Sequence, residues 1–266
     1  MNHLLRSHAP ITDIAWSRLD AEGRERLVPA LGARKLVDFS GPLGWGHSAT
    51  NLGRVSNVKA PGEDLQARQR RVLPLVELRA PFVISRHELM DADRGATDLD
   101  LAELDAAARR IAVAENIAVF HGWPEAGIVG IAGATAHEPI TLGTAYAGYP
   151  GHVAKAVETL LEAGVSGPYG LALGPQEYTG VVEATEHGGL VVLDHLRQIL
   201  GGPIVWAPGV DGAVVVSLRG GDFLFESGED LSLGYSHHDA ESAYLYLEES
   251  FSFRVATPEA AVALTA

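Results

Sequence analysis

The chain has 266 residues, 47% of them hydrophobic and 20% charged, with a formal net charge of −14 and no cysteine. This is a globular composition, and it excludes disulfides, zinc–cysteine and iron–sulfur centres and cysteine nucleophiles. The acidic balance lacks the basic footprint that binding a nucleic-acid backbone needs.

No run of about 18 apolar residues marks a membrane span, and Met1–Pro10 has no apolar core of a secretory signal. A cytoplasmic chain of one large or two small domains is expected. Thr12-Asp13 reads as a helix start. Trp16, Leu19, Gly23, Leu27 and Leu31 then recur at three- and four-residue steps, and Pro29 falls late enough to end the helix. Arg34–Phe39 alternates like a half-buried strand. Gly41–Gly46 is a break. From about His47 to Pro81 the chain is polar, turns at Pro61-Gly62 and returns through Val72–Arg79, the pattern of a long hairpin arm. A two-stranded ribbon is marginal alone in water, so a neighbour is expected to cover it.

The clearest helix spans Leu99–Phe120, capped by Asp98 or Asp100. Leu101, Leu104, Ala108, Ile111, Glu115 and Ala118 share one face, and His121-Gly122-Trp123-Pro124 stops it. Gly127–Gly133 is a turn region. An α/β segment follows, with a helix marked by Val153, Val157, Leu160 and Leu161. It continues through a strand at Gly170–Leu173, helices at Gln176–Ala184 and Val191–Leu200, and buried strands at Ile204–Ala207 and Ala213–Leu218. Residues 136–218 thus form an insert within a larger domain. Arg219–Phe223 reads as a turn between strands, and Tyr244–Val255 as a strand. Ala256–Ala266 is only mildly apolar.

Chemistry-bearing patterns are weak. Gly220-Gly221-Asp222-Phe223 lacks the acid that would complete a cyclase signature, and a turn explains it. Neither glycine-rich run carries the Gly-Lys-Ser/Thr of a phosphate cradle. No Gly-x-Ser-x-Gly elbow occurs. His237-His238-Asp239 is the densest histidine group and reads as a solvated turn rather than a metal site. His121 reads as a helix-end residue rather than a base. Glu248 and Glu249 alternate across a strand and so form no dyad with each other. No active site, metal or cofactor is expected.

Several segments resemble the encapsulins in order and spacing. These are Leu4, Arg6, Ala9-Pro10, Thr12 and Trp16; Gly32–Asp38; Pro74–Arg79; Asp91–Gly95; Gly167–Tyr169; Trp206–Pro208; Arg219–Phe223; and Leu247–Val255. The resemblance covers essentially the whole chain, with Ala33 where the family has glycine. It implies an α+β fold of the Hong Kong 97 phage capsid type. A P-domain would take 1–42, 85–135 and 219–266, an E-loop 43–84 and an A-domain 136–218. It also implies a closed icosahedral homo-oligomer of about sixty subunits, every contact repeated by symmetry. The enclosed cargo would be a dye-decolourising peroxidase or, next, a ferritin-like iron protein.

The same resemblance implies that a C-terminal cargo peptide docks on Leu27, Leu31, Arg34, Leu36 and Asp38 together with Asp230, Leu231, Leu233 and Tyr235. Leucines would form the trough, and Arg34 and Asp38 would bond the peptide backbone. Glu186, His187, Gly188 and Gly189 match the segment lining the fivefold pore. The runner-up reading is a prophage-type capsid protein packaging nucleic acid, and a third is a cytosolic hydrolase.

Overall fold

The computed structural model describes residues 3–186 and 189–265. Helix α1 spans Asp13–Ala30 and opens on Thr12, whose hydroxyl accepts from the Ala15 amide. It buries Ala15, Trp16, Leu19, Gly23 and Leu27. The chain then turns through a 3-10 segment, Ala33–Lys35, into a short strand β1 (Asp38–Ser40). The expected strand from Arg34 is therefore only half present. The reason is Asn116, fully buried, which ties up the end of α1. Its carboxamide oxygen accepts from the Ala33 amide at 2.9 Å, and its nitrogen donates to the Ala30 and Pro208 carbonyls at 2.9 and 3.0 Å.

Strands β2 (Ala49–Val58) and β3 (Ala67–Pro74) pair only with each other, antiparallel, and contain no buried residue. This is the expected arm, but it is shorter than expected. Its return ends at Pro74, and the next strand, β4 (Val76–Ser85), leaves the ribbon to pair with a strand far along the chain. Residues Ala80, Phe82 and Ile84 explain this, because each is nearly fully buried and alternates with exposed positions. Helix α2 (Arg86–Arg94) follows, capped by Ser85. Helix α3 (Ala102–Phe120) buries Leu104, Ala107, Ala108, Ile111, Ala112, Glu115 and Asn116 along one side.

The second half opens with a short helix α4 (Ile131–Ala134) and strand β5 (Ile140–Thr141). Helix α5 (Tyr149–Glu162), strand β6 (Tyr169–Leu173), helices α6 (Pro175–Glu183) and α7 (Val192–Leu200), and strands β7 (Ile204–Trp206) and β8 (Ala213–Ser217) come next, close to the expected spans. Strand β9 (Phe223–Ser227) leads to β10 (Ser232–His238), the long β11 (Ser242–Val255) and a last strand, β12 (Ala261–Thr265).

Two sheets result. One is organised on β11, which pairs with β4, β9 and β10, while β1 adds to β9 in parallel. The other has the order β5-β12-β8-β6-β7. The final segment thus belongs to the sheet of the 136–218 insert rather than to the β11 sheet. Its Ala261–Leu264 run is buried between β5 and β8, which requires both faces apolar rather than an alternation. The core divides the same way. One cluster fills the space around the second sheet, α5, α6, α7 and the phenylalanines of β9 and β11. The other joins α1, α2 and α3 to β4, β10 and β11.

Candidate functional site

A groove of about 440 Å³ runs between α1 and the start of β10. Its walls include Leu27, Val28 and Leu31 on one side and Asp230, Leu231 and Leu233 on the other, with Arg34 between them. The register of β11 explains the second wall. Ser227 stands opposite Phe251 and Ser232 opposite Glu248, so four residues, 228–231, face two, 249 and 250. This irregularity lifts Asp230 and Leu231 out of the ladder. Leu27, Leu31 and Leu233 are mostly buried in the helical core and lend the groove their edges, whereas Val28 is 58% exposed.

Six of the nine residues expected at a docking surface therefore meet: Leu27, Leu31, Arg34, Asp230, Leu231 and Leu233. Three do not. Leu36 is buried against Gly170 in the other core cluster, because the 3-10 turn rotates it away from α1. Asp38 accepts from the Gly221 amide at 2.7 Å and so holds the Arg219–Asp222 turn, where Gly220 and Gly221 have φ of +86° and +83°. Tyr235 is buried, and its hydroxyl is 2.5 Å from Nδ1 of His238.

Arg34 also differs from expectation, since its donors are taken. Nε donates to Glu115 at 2.7 Å, Nη1 to Asp230 at 2.6 Å and Nη2 to Glu249 at 2.9 Å. Burial works against the guanidinium charge, but the three carboxylates outweigh it and hold its pKa above the ordinary value. Burial pushes the pKa of Glu249 up strongly, and the neighbouring Glu115 adds to this while Arg34 opposes it. Glu115 is raised by burial as well, against the pull of Arg34.

Sequence reasoning missed this cluster, although the signal was present. Glu115 falls on the apolar face of α3, and a buried acid demands a partner. It also missed Arg6, Asp20, Gly23, Arg24, Val28, Ser232 and Leu247, which complete the lining. Arg6 makes a paired contact with Asp20 at 3.1 and 2.7 Å and lies over the Trp16 ring, so the N-terminal segment closes one end.

Of the expected pore segment, His187 and Gly188 lie outside the described residues. Glu186 is not a bare carboxylate: its Oε1 is 2.7 Å from Nδ1 of His195 on α7. Thr185 bridges Val191, and the Glu186 amide donates to the Leu190 carbonyl at 2.8 Å. Elsewhere, Asp239 closes the turn after β10 by accepting from the Glu241 and Ser242 amides. His121 caps α3, and its Nε2 accepts from the Asp211 amide at 3.0 Å, consistent with a pKa lowered by burial. Glu248 faces away from Glu249 and is held by Arg79. Among the described residues no group of three or more His, Cys, Asp or Glu is placed to hold a metal ion. Nor is any helix among them long and apolar enough to cross a membrane.

An exposed two-stranded arm, a spine helix behind a long-stranded sheet and a separate α/β lobe define a capsid subunit of the Hong Kong 97 type. Solved structures agree. A virus-like particle from Pyrococcus furiosus superposes with a TM-score of 0.62 at 16% identity, covering 93% of this chain and 98% of that one. The capsid of an empty GTA particle gives 0.55 at 14% identity, covering 89% and 90%. A family model described as an encapsulating protein for peroxidase matches residues 1–252. A type 1 encapsulin shell protein of Rhodospirillum rubrum is 47% identical over 270 residues, covering 99% of this chain and 96% of the relative. One from Mycolicibacterium paratuberculosis is 40% identical over 265 residues, the full length of both. The chain belongs to the type 1 encapsulin shell proteins, whose subunits form a capsid-like compartment.

Proposed function

We propose that this chain builds a closed icosahedral shell of about sixty copies in the bacterial cytoplasm, every contact repeated by symmetry, and that the α1–β10 groove captures cargo. The shell itself is non-catalytic in this reading, and chemistry belongs to the cargo. The observation that carries it is the open groove with apolar edges between Leu27–Leu31 and Asp230–Leu233. An extended C-terminal cargo peptide would lay apolar side chains against Val28, Leu231 and the leucine edges. Each leucine-sized anchor buried there contributes about 1.5–3 kcal/mol. One peptide would bind weakly, and multimeric cargo would gain avidity across many grooves. A peroxidase is the favoured cargo, since the matching family model is described as an encapsulating protein for peroxidase; the resemblance to the encapsulins favours the dye-decolourising class, with a ferritin-like protein next.

The arm supports the assembly part of this reading. Residues 49–74 carry five cations (Arg54, Lys59, Arg68, Arg70, Arg71) against two acids in a chain of net charge −14. An arm of that sign is attracted to the acidic surface of a neighbouring copy. Its base is fixed to the β11 sheet. Thr50 donates to Glu226 at 2.5 Å and contacts the Ser252 hydroxyl at 2.7 Å, and His47 lies 2.7 Å from Glu226. The Glu186–Gly189 loop would line an opening on a symmetry axis and set its charge.

Co-expression with candidate cargo tests docking. Val28→Asp is at an exposed position, so shells should still assemble and elute at shell size, but nearly empty. Shells of this variant that retain their normal cargo complement would refute the groove.

A further inference from the structure

Two acids buried behind the groove share one edge of one arginine. Nε and Nη2 of a guanidinium point the same way, the edge that one carboxylate ordinarily occupies with both oxygens. In this protein that edge holds two carboxyls. Glu115 takes Nε at 2.7 Å and Glu249 takes Nη2 at 2.9 Å. Both acids are essentially inaccessible, with side-chain exposures of 0% and 1%. The second oxygen of each, Oε1, is buried and has no hydrogen-bond donor from any other group among the described residues. Two ionised carboxylates side by side on one cation leave a net buried negative charge, and Asp230 on Nη1 adds a further one. Each carboxylate on this shared edge disfavours ionisation of the other.

We infer that Glu115 and Glu249 hold a single proton between their carboxyl groups, and that this proton keeps Arg34 and Asp230, the charged wall of the groove, in place. With the proton present, the pair presents one negative charge to Arg34, and Nη1 remains free to hold Asp230. The Asp230 carboxylate in turn accepts from the Leu231 amide at 2.8 Å, which sets the irregular segment before β10. When the proton leaves, a second buried charge competes for the guanidinium and repels Asp230. The wall of the groove then loosens.

The charged groups facing the pair are Arg34 from the 3-10 turn and Asp230 from the segment before β10. The rings of Phe39 on β1 and Phe225 on β9 lie 5.0 and 5.5 Å from the guanidinium carbon and keep that side apolar. Glu115 and Glu249 are thus positioning residues for docking. The inference rests on the groove reading for its meaning but not for its test, which needs no cargo.

The test uses assembled, empty shells. Infrared spectra in D2O at pH 7 should contain the carbonyl stretch of a protonated, solvent-shielded carboxyl group. Glu249→Gln and Glu115→Gln should each abolish it, because either leaves a lone carboxylate paired with Arg34 and hydrogen-bonded by the amide. Absence of such a band in the wild type, or its persistence in both variants, overturns the shared proton. Amide exchange at Leu231, Ser232 and Leu233, corrected for intrinsic rate, should quicken severalfold as pH rises in the wild type and stay flat in Glu249→Gln, which imitates the protonated acid. A flat wild-type profile overturns the coupling to the groove. Failure of cargo to dock at all, with band and exchange as expected, refutes the groove and leaves the proton pair standing.

Discussion

Replacing Arg34 by methionine keeps most of the side-chain volume and removes the charge on which three acids converge. Breaking a buried ion pair by deleting one partner costs about 3–5 kcal/mol. Here two of the acids are inaccessible, with exposures of 0% and 1%, while Asp230, at 40%, can turn to water. Two bare buried carboxylates would cost roughly twice one broken pair. A pair already holding a proton leaves only one uncompensated charge, so the loss should lie near the low end, about 3 kcal/mol. For a chain of this size that is a fall in unfolding temperature of about 6–12 °C.

The pH dependence has a fixed sign. Without Arg34 the folded-state pKa values of Glu115 and Glu249 rise further. The remaining stability is then greatest at low pH and is lost as pH rises through those values. Arg34→Met should therefore unfold well below wild type at pH 7, and the gap should narrow at pH 5. Intrinsic tryptophan fluorescence of assembled shells, scanned at one heating rate at both pH values, measures this. A gap equal at both pH values, or one below about 1 °C at pH 7, would refute the idea that Arg34 neutralises buried charge.

Wild-type shells carry the same signature more gently. The contribution of the Glu115–Glu249 pair to their stability should decline from about pH 4.3, the unfolded glutamate value, upward toward the raised folded value, by about 1.4 kcal/mol per pH unit for one proton, against the opposite slope of carboxylates with lowered pKa such as Glu226. Glu249→Gln should remove that slope. Asn116→Ala leaves the Ala33 amide and the Ala30 and Pro208 carbonyls without their partner, at about 1–3 kcal/mol for each group that stays dry. Denaturant midpoints would register that loss. Gly130→Ala would place a Cβ 2.1 Å from the Gly122 amide nitrogen, so little folded protein should be recovered. Glu186→Lys replaces the carboxylate beside His195 with a cation and should slow cation uptake into shells. Unchanged uptake would separate that loop from any opening.

Helical periodicity carried most of the fold. Thr12-Asp13 before the Trp16–Leu27 stripe placed α1, and the alanine-rich face of α3 placed the spine, because both depend on local spacing. Non-local pairing was less legible. Val72–Arg79 read as the return of the arm, yet the buried alternate residues of Val76–Ser85 matter only once β11 lies beside them. Ala261–Thr265 read only as part of a mildly apolar end placed with the P-domain, because its partners, β5 and β8, are far away in sequence. The groove was legible in its leucines but not in its charges. Arg34 was expected to face a peptide because a cation fits a core poorly. In the fold three acids from separate elements make that burial tolerable, and their convergence has no periodicity to read.

The same arginine joins two demands that the fold must meet. The proposed docking groove has one wall that departs from the β-ladder, formed by the four residues opposite 249 and 250. A departure of that kind is soft unless something holds it from behind, since Asp230 and Leu231 have left their ladder partners. Arg34 holds it through Asp230, and is itself held by Glu115 on α3 and Glu249 on β11. Hydrophobic side chains of similar volume would pack that space with comparable stability. They would offer nothing for Asp230 to bind. The buried charges are thus best understood as fixing the position of the groove wall, which is why their disruption should alter docking at perturbations too small to unfold the subunit.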